Sequence, residues 1–169
     1  VNIHGSGTVT SSPPGIDCPS SCSMSVVPGG SVTLTAEPGP GMSLVDWNGA
    51  GGADPNKPKT YSITLQNDQS VSADFGLTPP KGEIGVTINH GAQFTNDPNV
   101  EIDPVWPLGT ERIKLSNDGG FAGFKAFDVA PSINWKLDSS GPERLPKTAY
   151  VRFGSSTQNF TDDIILDET

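Results

Sequence analysis

The feature that most constrains the fold is a recurring run of strand length in which apolar and polar residues alternate, closed at each end by Gly or Pro. In "SVTLTAEP" (Ser31 to Pro38), Val32, Leu34 and Ala36 alternate with Ser31, Thr33 and Thr35. Successive side chains of a strand point to opposite faces, so this run buries one face and wets the other. Similar runs are "GTVTSS" (Gly7 to Ser12), "CSMSVV" (Cys22 to Val27), "MSLVDW" (Met42 to Trp47), "YSITL" (Tyr61 to Leu65) and "SVSADFG" (Ser70 to Gly76). Between them stand "PPG", "PGG" and "NDQ", where Pro fixes φ and Gly permits left-handed backbone. With 20 Gly and 16 Pro among 169 residues, and no convincing helical period, the chain is expected to be all-β.

"LTPPKG" (Leu77 to Gly82) interrupts this pattern with two adjacent prolines, which favour a stiff extended connector. A domain boundary is expected there, giving modules at 1–76 and 83–169 with 77–82 as linker. The second module resumes with "EIGVTIN" (Glu83 to Asn89), "NVEID" (Asn99 to Asp103), "ERIKLSN" (Glu111 to Asn117), "SINWKLD" (Ser132 to Asp138), "TAYVRFG" (Thr148 to Gly154) and "DDIILDE" (Asp162 to Glu168). Ile113 and Leu115 are expected to face one way and Arg112 and Lys114 the other. About six to seven strands are the count of a small β-sandwich.

The formal charge of −9 divides as −4 over residues 1–76 and −6 over 83–169, with Lys81 between them. Such a field repels phosphate backbones and anionic headgroups, so neither nucleic acid nor a membrane surface is an expected partner. No apolar run approaches the roughly 18 residues of a spanning helix, and membrane insertion is not expected. No signal-peptide pattern is present at Val1, so the chain is expected to be a piece of a longer or processed protein.

Both modules resemble known families. "GSGTVTSSPPGIDC", "VVPGGSVTLTAEPGPGMSLVDWNGAGG" and "YSITLQNDQSVSADF", within residues 5–75, are similar to divergent internalin-B-repeat-like modules of secreted bacterial proteins. The resemblance implies a small β-grasp-like fold, usually in tandem with other extracellular modules. Many members carry a second cysteine pair after the Trp-x-Gly. Here "AGGADPNKPK" (Ala50 to Lys59) takes its place, and that loop is expected to be unstapled and more mobile. Residues 84–168 resemble a bacterial immunoglobulin-like repeat through "VTINHGAQFTNDPNVEI", "GTERIKLSNDGGF", "NWKL", "KTAYVRF" and "DDIILD". Phe124 stands where that family usually has Trp, and "FGSSTQNFT" (Phe153 to Thr161) replaces a longer turn, so a function attached to that turn does not transfer.

The two cysteines, Cys18 and Cys22, admit a metal site, a redox pair or a disulfide. A structural zinc site needs about four ligands, and the two histidines, His4 and His90, fall in different modules. A redox pair usually has two intervening residues before a helix, whereas "CPSSC" has three and no helix is expected after it. A disulfide is favoured, the resemblance supports it, and it implies an oxidising, extracytoplasmic compartment. In so short a loop it contributes about 2 kcal/mol and chiefly pins a turn.

Catalytic patterns are weak. There is no Gly-x-Ser-x-Gly elbow or phosphate loop, and His4 beside Ser6 in sequence does not make a triad. The chain is not expected to be an enzyme or to need a cofactor. Calcium is the ion the oxygen-rich turns suggest, at Asp162, Asp163 and Asp167 near Glu168, with Asn96 and Asp97 at a turn; no EF-hand spacing supports it, and a solvated strand end is the favoured reading. Trp47 and Trp135 are expected in the core. Trp106, between Pro104 and Pro107, is expected in a loop folded onto its own module; if a ligand surface exists, it is the first choice for a sugar-stacking ring, with Phe121, Phe124 and Phe127 in a segment that can also reach the surface.

The expected function is a non-catalytic structural or adhesive spacer of a secreted or cell-surface bacterial protein, including a subunit of an extracellular filament. Its partners would be neighbouring modules or copies of itself. The alternative is a carbohydrate-binding accessory domain of a polysaccharide-degrading enzyme, with surface glycan as ligand.

Overall fold

The computed structural model describes residues 1–142 and 144–167. Strands dominate it. The only helical piece among the described residues is a single 3-10 turn, Asn89–Gly91, and no helix is long and apolar enough to cross a membrane. The chain forms two compact units, Val1–Thr78 and Pro79–Thr169. Leu77 completes a strand of the first unit opposite Met42, and the Thr78 N–H donates to Gly41 O at 2.9 Å.

The first unit contains β1 (Asn2–His4), β2 (Gly7–Ser12), β3 (Asp17–Cys18), β4 (Gly30–Pro38), β5 (Met42–Asn48), β6 (Gly52–Asp54), β7 (Lys57–Leu65) and β8 (Ser72–Leu77). One sheet runs β3-β2-β4-β7-β6 with every pair antiparallel; the other runs β1-β8-β5, with β1 parallel to β8. The layer facing the five-stranded sheet, where a β-grasp places a helix, is here the three-stranded sheet.

The alternation in β4 sets the register: Val32 lies opposite Ile63, Leu34 opposite Tyr61, and Ala36 opposite Val9. These side chains are buried and share one core with Trp47, Val71, Ala73 and Phe75 from β5, β8 and the turn before β8. Trp47 stacks on Tyr61 with ring centroids 5.4 Å apart.

Two expected features change here. Cys22–Val27 is not a strand, although Met24 and Val26 pack against the core. The side-chain alternation is satisfied, but the stretch joins no ladder. Ala50–Lys59 is not an open loop: β6 and the start of β7 form a hairpin, with the Gly51 N–H donating to the Tyr61 hydroxyl at 2.7 Å.

The second unit contains β9 (Gly85–Ile88), β10 (Phe94–Thr95), β11 (Asn99–Val105), β12 (Arg112–Ser116), β13 (Lys125–Asp128), β14 (Ile133–Lys136), β15 (Pro146–Phe153) and β16 (Phe160–Leu166). A five-stranded sheet, β10-β16-β15-β12-β13, faces a three-stranded sheet, β14-β11-β9, across one core, an all-β sandwich of immunoglobulin-like architecture. Ile113 and Leu115 are buried and lie opposite Phe153 and Val151, so the expected facing of β12 holds. Ile88, Val100, Ile102 and Trp135 supply the other side of the core.

Candidate functional site

Cys18 and Cys22 form a disulfide. Offset from it by one residue, Asp17 and Ser21 exchange backbone hydrogen bonds of 2.7 and 2.8 Å, so covalent and ladder constraints close the same turn. Cys18 is buried on β3, which fastens the turn to the core. The pair serves as a staple for the sheet edge.

The aromatic candidates separate by burial. Trp106 is 2% exposed and belongs to the core of the second unit, which corrects its placement as a ligand-stacking ring: a buried face cannot hold a sugar. The two prolines misled. Pro104 lies inside β11 opposite Val86, beyond Ile102, where pairing with β14 stops. With a neighbour on one side only, a missing N–H is tolerated. Trp47 and Trp135 are buried as expected. Phe121 is buried beneath the Arg152 guanidinium at 3.9 Å, Phe127 meets Trp135 edge-on, and Phe124 alone of the three is exposed, under Lys114.

The acidic residues considered for calcium are not gathered. Asp162 accepts the Ile88 N–H at 2.8 Å, Asp163 is exposed, and Asp167 pairs with Arg144 at 2.8 Å. Asp162 and Asp163 are neighbours on β16 and point to opposite faces. Glu168 lies outside the described residues. Asp97 binds its own turn, accepting the Asn99 backbone and side-chain N–H groups, each at 2.8 Å. Those two bonds hold its carboxyl below the usual range. Asp118, through the Ser116 hydroxyl and nearby backbone N–H groups, and Asp138, through the Ser140 N–H and hydroxyl, are lowered in the same way.

The two histidines sit in unlike settings. His4 Nδ1 lies 2.6 Å from Asp74 on the adjacent strand, and no hydrogen bond joins it to Ser6 among the described residues. His90 meets two carboxylates: Nδ1 is 2.8 Å from Asp103 Oδ2, and Nε2 is 3.5 Å from Glu101 Oε2. Sequence reasoning passed over this cluster. Glu101-x-Asp103 on an alternating strand was the readable half, since residues two apart share a face. The turn that returns His90 to them is tertiary.

On the outward face of the five-stranded sheet, Arg112 and Lys114 of β12 lie beside Arg152 of β15, directly opposite Lys114. Arg112 pairs with Asp128 at 2.9 Å. This is a local concentration of cations in an acidic unit.

Residues 1–79 match the family model of the divergent InlB B-repeat domain. The match supports reading the first unit as a repeat module, of a type typical of bacterial surface proteins, and the disulfide fits an extracellular location. No curated protein matches the chain.

Proposed function

We propose that the chain is a non-catalytic structural or adhesive segment of a secreted or cell-surface bacterial protein. In this reading the second unit is an immunoglobulin-like repeat, and both units act as spacers that meet neighbouring modules or further copies of the chain. The observation that carries the reading is the match of residues 1–79 to a repeat family, combined with two β units that each bury their own core.

Contact between copies by strand addition requires an open sheet edge. The seven-residue edge β5 is interrupted by a bulge between Leu44 and Asp46, a device that blunts an edge. Among the described residues, β13 pairs only with β12, and in continuous register. The Val129 N–H points toward β12, donating to Glu111 O at 3.0 Å. Alternation then turns the N–H groups of Ala126 and Asp128 outward, ready for a sixth strand supplied by another chain.

Sedimentation velocity over a concentration series tests this. The wild-type chain is expected to assemble, and Ala126→Pro, which removes an outward donor without breaking a ladder bond, is expected to remain monomeric with an unchanged Tm. A chain that stays monomeric throughout and is retained on a glycan array refutes the reading. With Trp106 buried, no observation favours the carbohydrate-binding alternative.

A further inference from the structure

We propose that His90, Glu101 and Asp103 form a binding site for a borderline divalent transition-metal ion, with Zn2+ the best match to the donors. One ligand atom from each of the three residues lies within 4.8 Å of the others. An ion with bonds of about 2.0–2.2 Å to imidazole nitrogen and carboxylate oxygen can be reached from there by side-chain rotation alone.

The backbone is already arranged for this. Asn89, His90 and Gly91 all have positive φ, at 48°, 58° and 84°, so the chain turns back over β11 immediately after β9. Two hydrogen bonds stitch the turn to that strand. The Asn89 carbonyl oxygen Oδ1 accepts the Glu101 N–H at 2.8 Å, and Asp103 Oδ2 accepts the His90 N–H at 2.9 Å. The stitches end on the two residues that carry the carboxylates, so the backbone that bears the imidazole and both acids is held together, and only side-chain rotation is left to close on an ion. Glu101 and Asp103, two apart on β11, point to one face of the sheet.

The donors select the ion class. One nitrogen and two carboxylates suit zinc or its first-row neighbours, whereas calcium takes six to eight oxygens and gains little from imidazole. Two carboxylates also offset the ion's charge. His90 and Glu101 side chains are 75% and 52% exposed, which leaves one side of the site open to water or to a donor from another molecule; Asp103, at 18%, is the anchored member. Three protein ligands leave a fourth tetrahedral position for water or another donor.

The test is titration calorimetry of the chelator-treated full chain with Zn2+ alone. The wild type is expected to bind one ion. His90→Asn, chosen because Asn tolerates the left-handed backbone, and Glu101→Gln are each expected to weaken binding at least tenfold with unchanged Tm in the absence of metal. His4→Asn, which removes the other histidine, is expected to bind as the wild type does. Failure of the wild type to take up Zn2+, or equal binding by both cluster variants, overturns the assignment. The outcome is separable from the proposed spacer role, because the sedimentation series is run in chelator.

Discussion

Trp106 closes the buried face of β11, and that position predicts what its loss costs. Val100, Ile102, Pro104 and Trp106 are all buried, every second residue along β11 and one step beyond it. The alternation therefore continued through a proline that suggested a loop, and that period was the stronger signal. Its indole Nε1 is buried with no hydrogen-bond partner among the described residues, so the residue contributes through packing. Trp106→Ala is expected to cost about 3–5 kcal/mol in urea unfolding. Trp106→Phe, which keeps much of the volume and removes the unpaired donor, should cost less than half as much. Equal losses in the two variants would show that the N–H matters more than the ring.

The turn aspartates make a second residue-scale case, this one dependent on pH. Asp97, Asp118 and Asp138 have carboxyls held below the ordinary 3.8 by N–H and O–H donors in their own turns. A group depressed in the folded state adds stability that is fully present above its unfolded value and is lost as pH falls through the folded one. Below about pH 4 the Tm of the wild type is therefore expected to fall more steeply than that of a triple Asp→Asn variant, which cannot titrate at those positions. Parallel acid limbs would mean that these turns are equally populated in the unfolded chain.

At the scale of elements, long strands were legible and most short ones were not, although "EIGVTIN" and "SINWKLD" marked the four-residue β9 and β14. β2, β4, β12 and β15 carry enough alternating residues for a period to show. β3, β6, β10 and β13 have two to four residues each, and they exist because a neighbouring ladder supplies partners. Cys22–Val27 is the converse, a good strand pattern without a partner. The disulfide was readable because sequence carries its spacing and its module, whereas the His90 cluster needed the register of β9 against β11.

The staple acts on a short edge strand, and its removal belongs to this scale. Cys18→Ala with Cys22→Ala is expected to destabilise the first unit by about 2 kcal/mol, the closure entropy of so small a loop. Amide exchange should register that loss in β4 and β7 and leave β12 and β15 of the second unit unchanged. Equal loosening of both units would contradict their separate cores.

For the whole molecule, charge decides how copies can meet. At −9, two copies repel one another at long range. Strand addition at β13 relies on backbone hydrogen bonds, which salt hardly weakens, while the repulsion is screened once the Debye length contracts to about 10 Å near 0.1 M. Assembly through this edge should therefore strengthen as sodium chloride rises from about 0.01 M and level off near 0.15 M. The cationic face of Arg112, Lys114 and Arg152 offers the competing geometry, docking on the acidic surface of another copy. Attraction of that kind weakens over the same range of salt, so the sign of the dependence in sedimentation velocity separates the two. Assembly that dissolves as salt is added would remove β13 from the account and place the contact on the outward face of the five-stranded sheet.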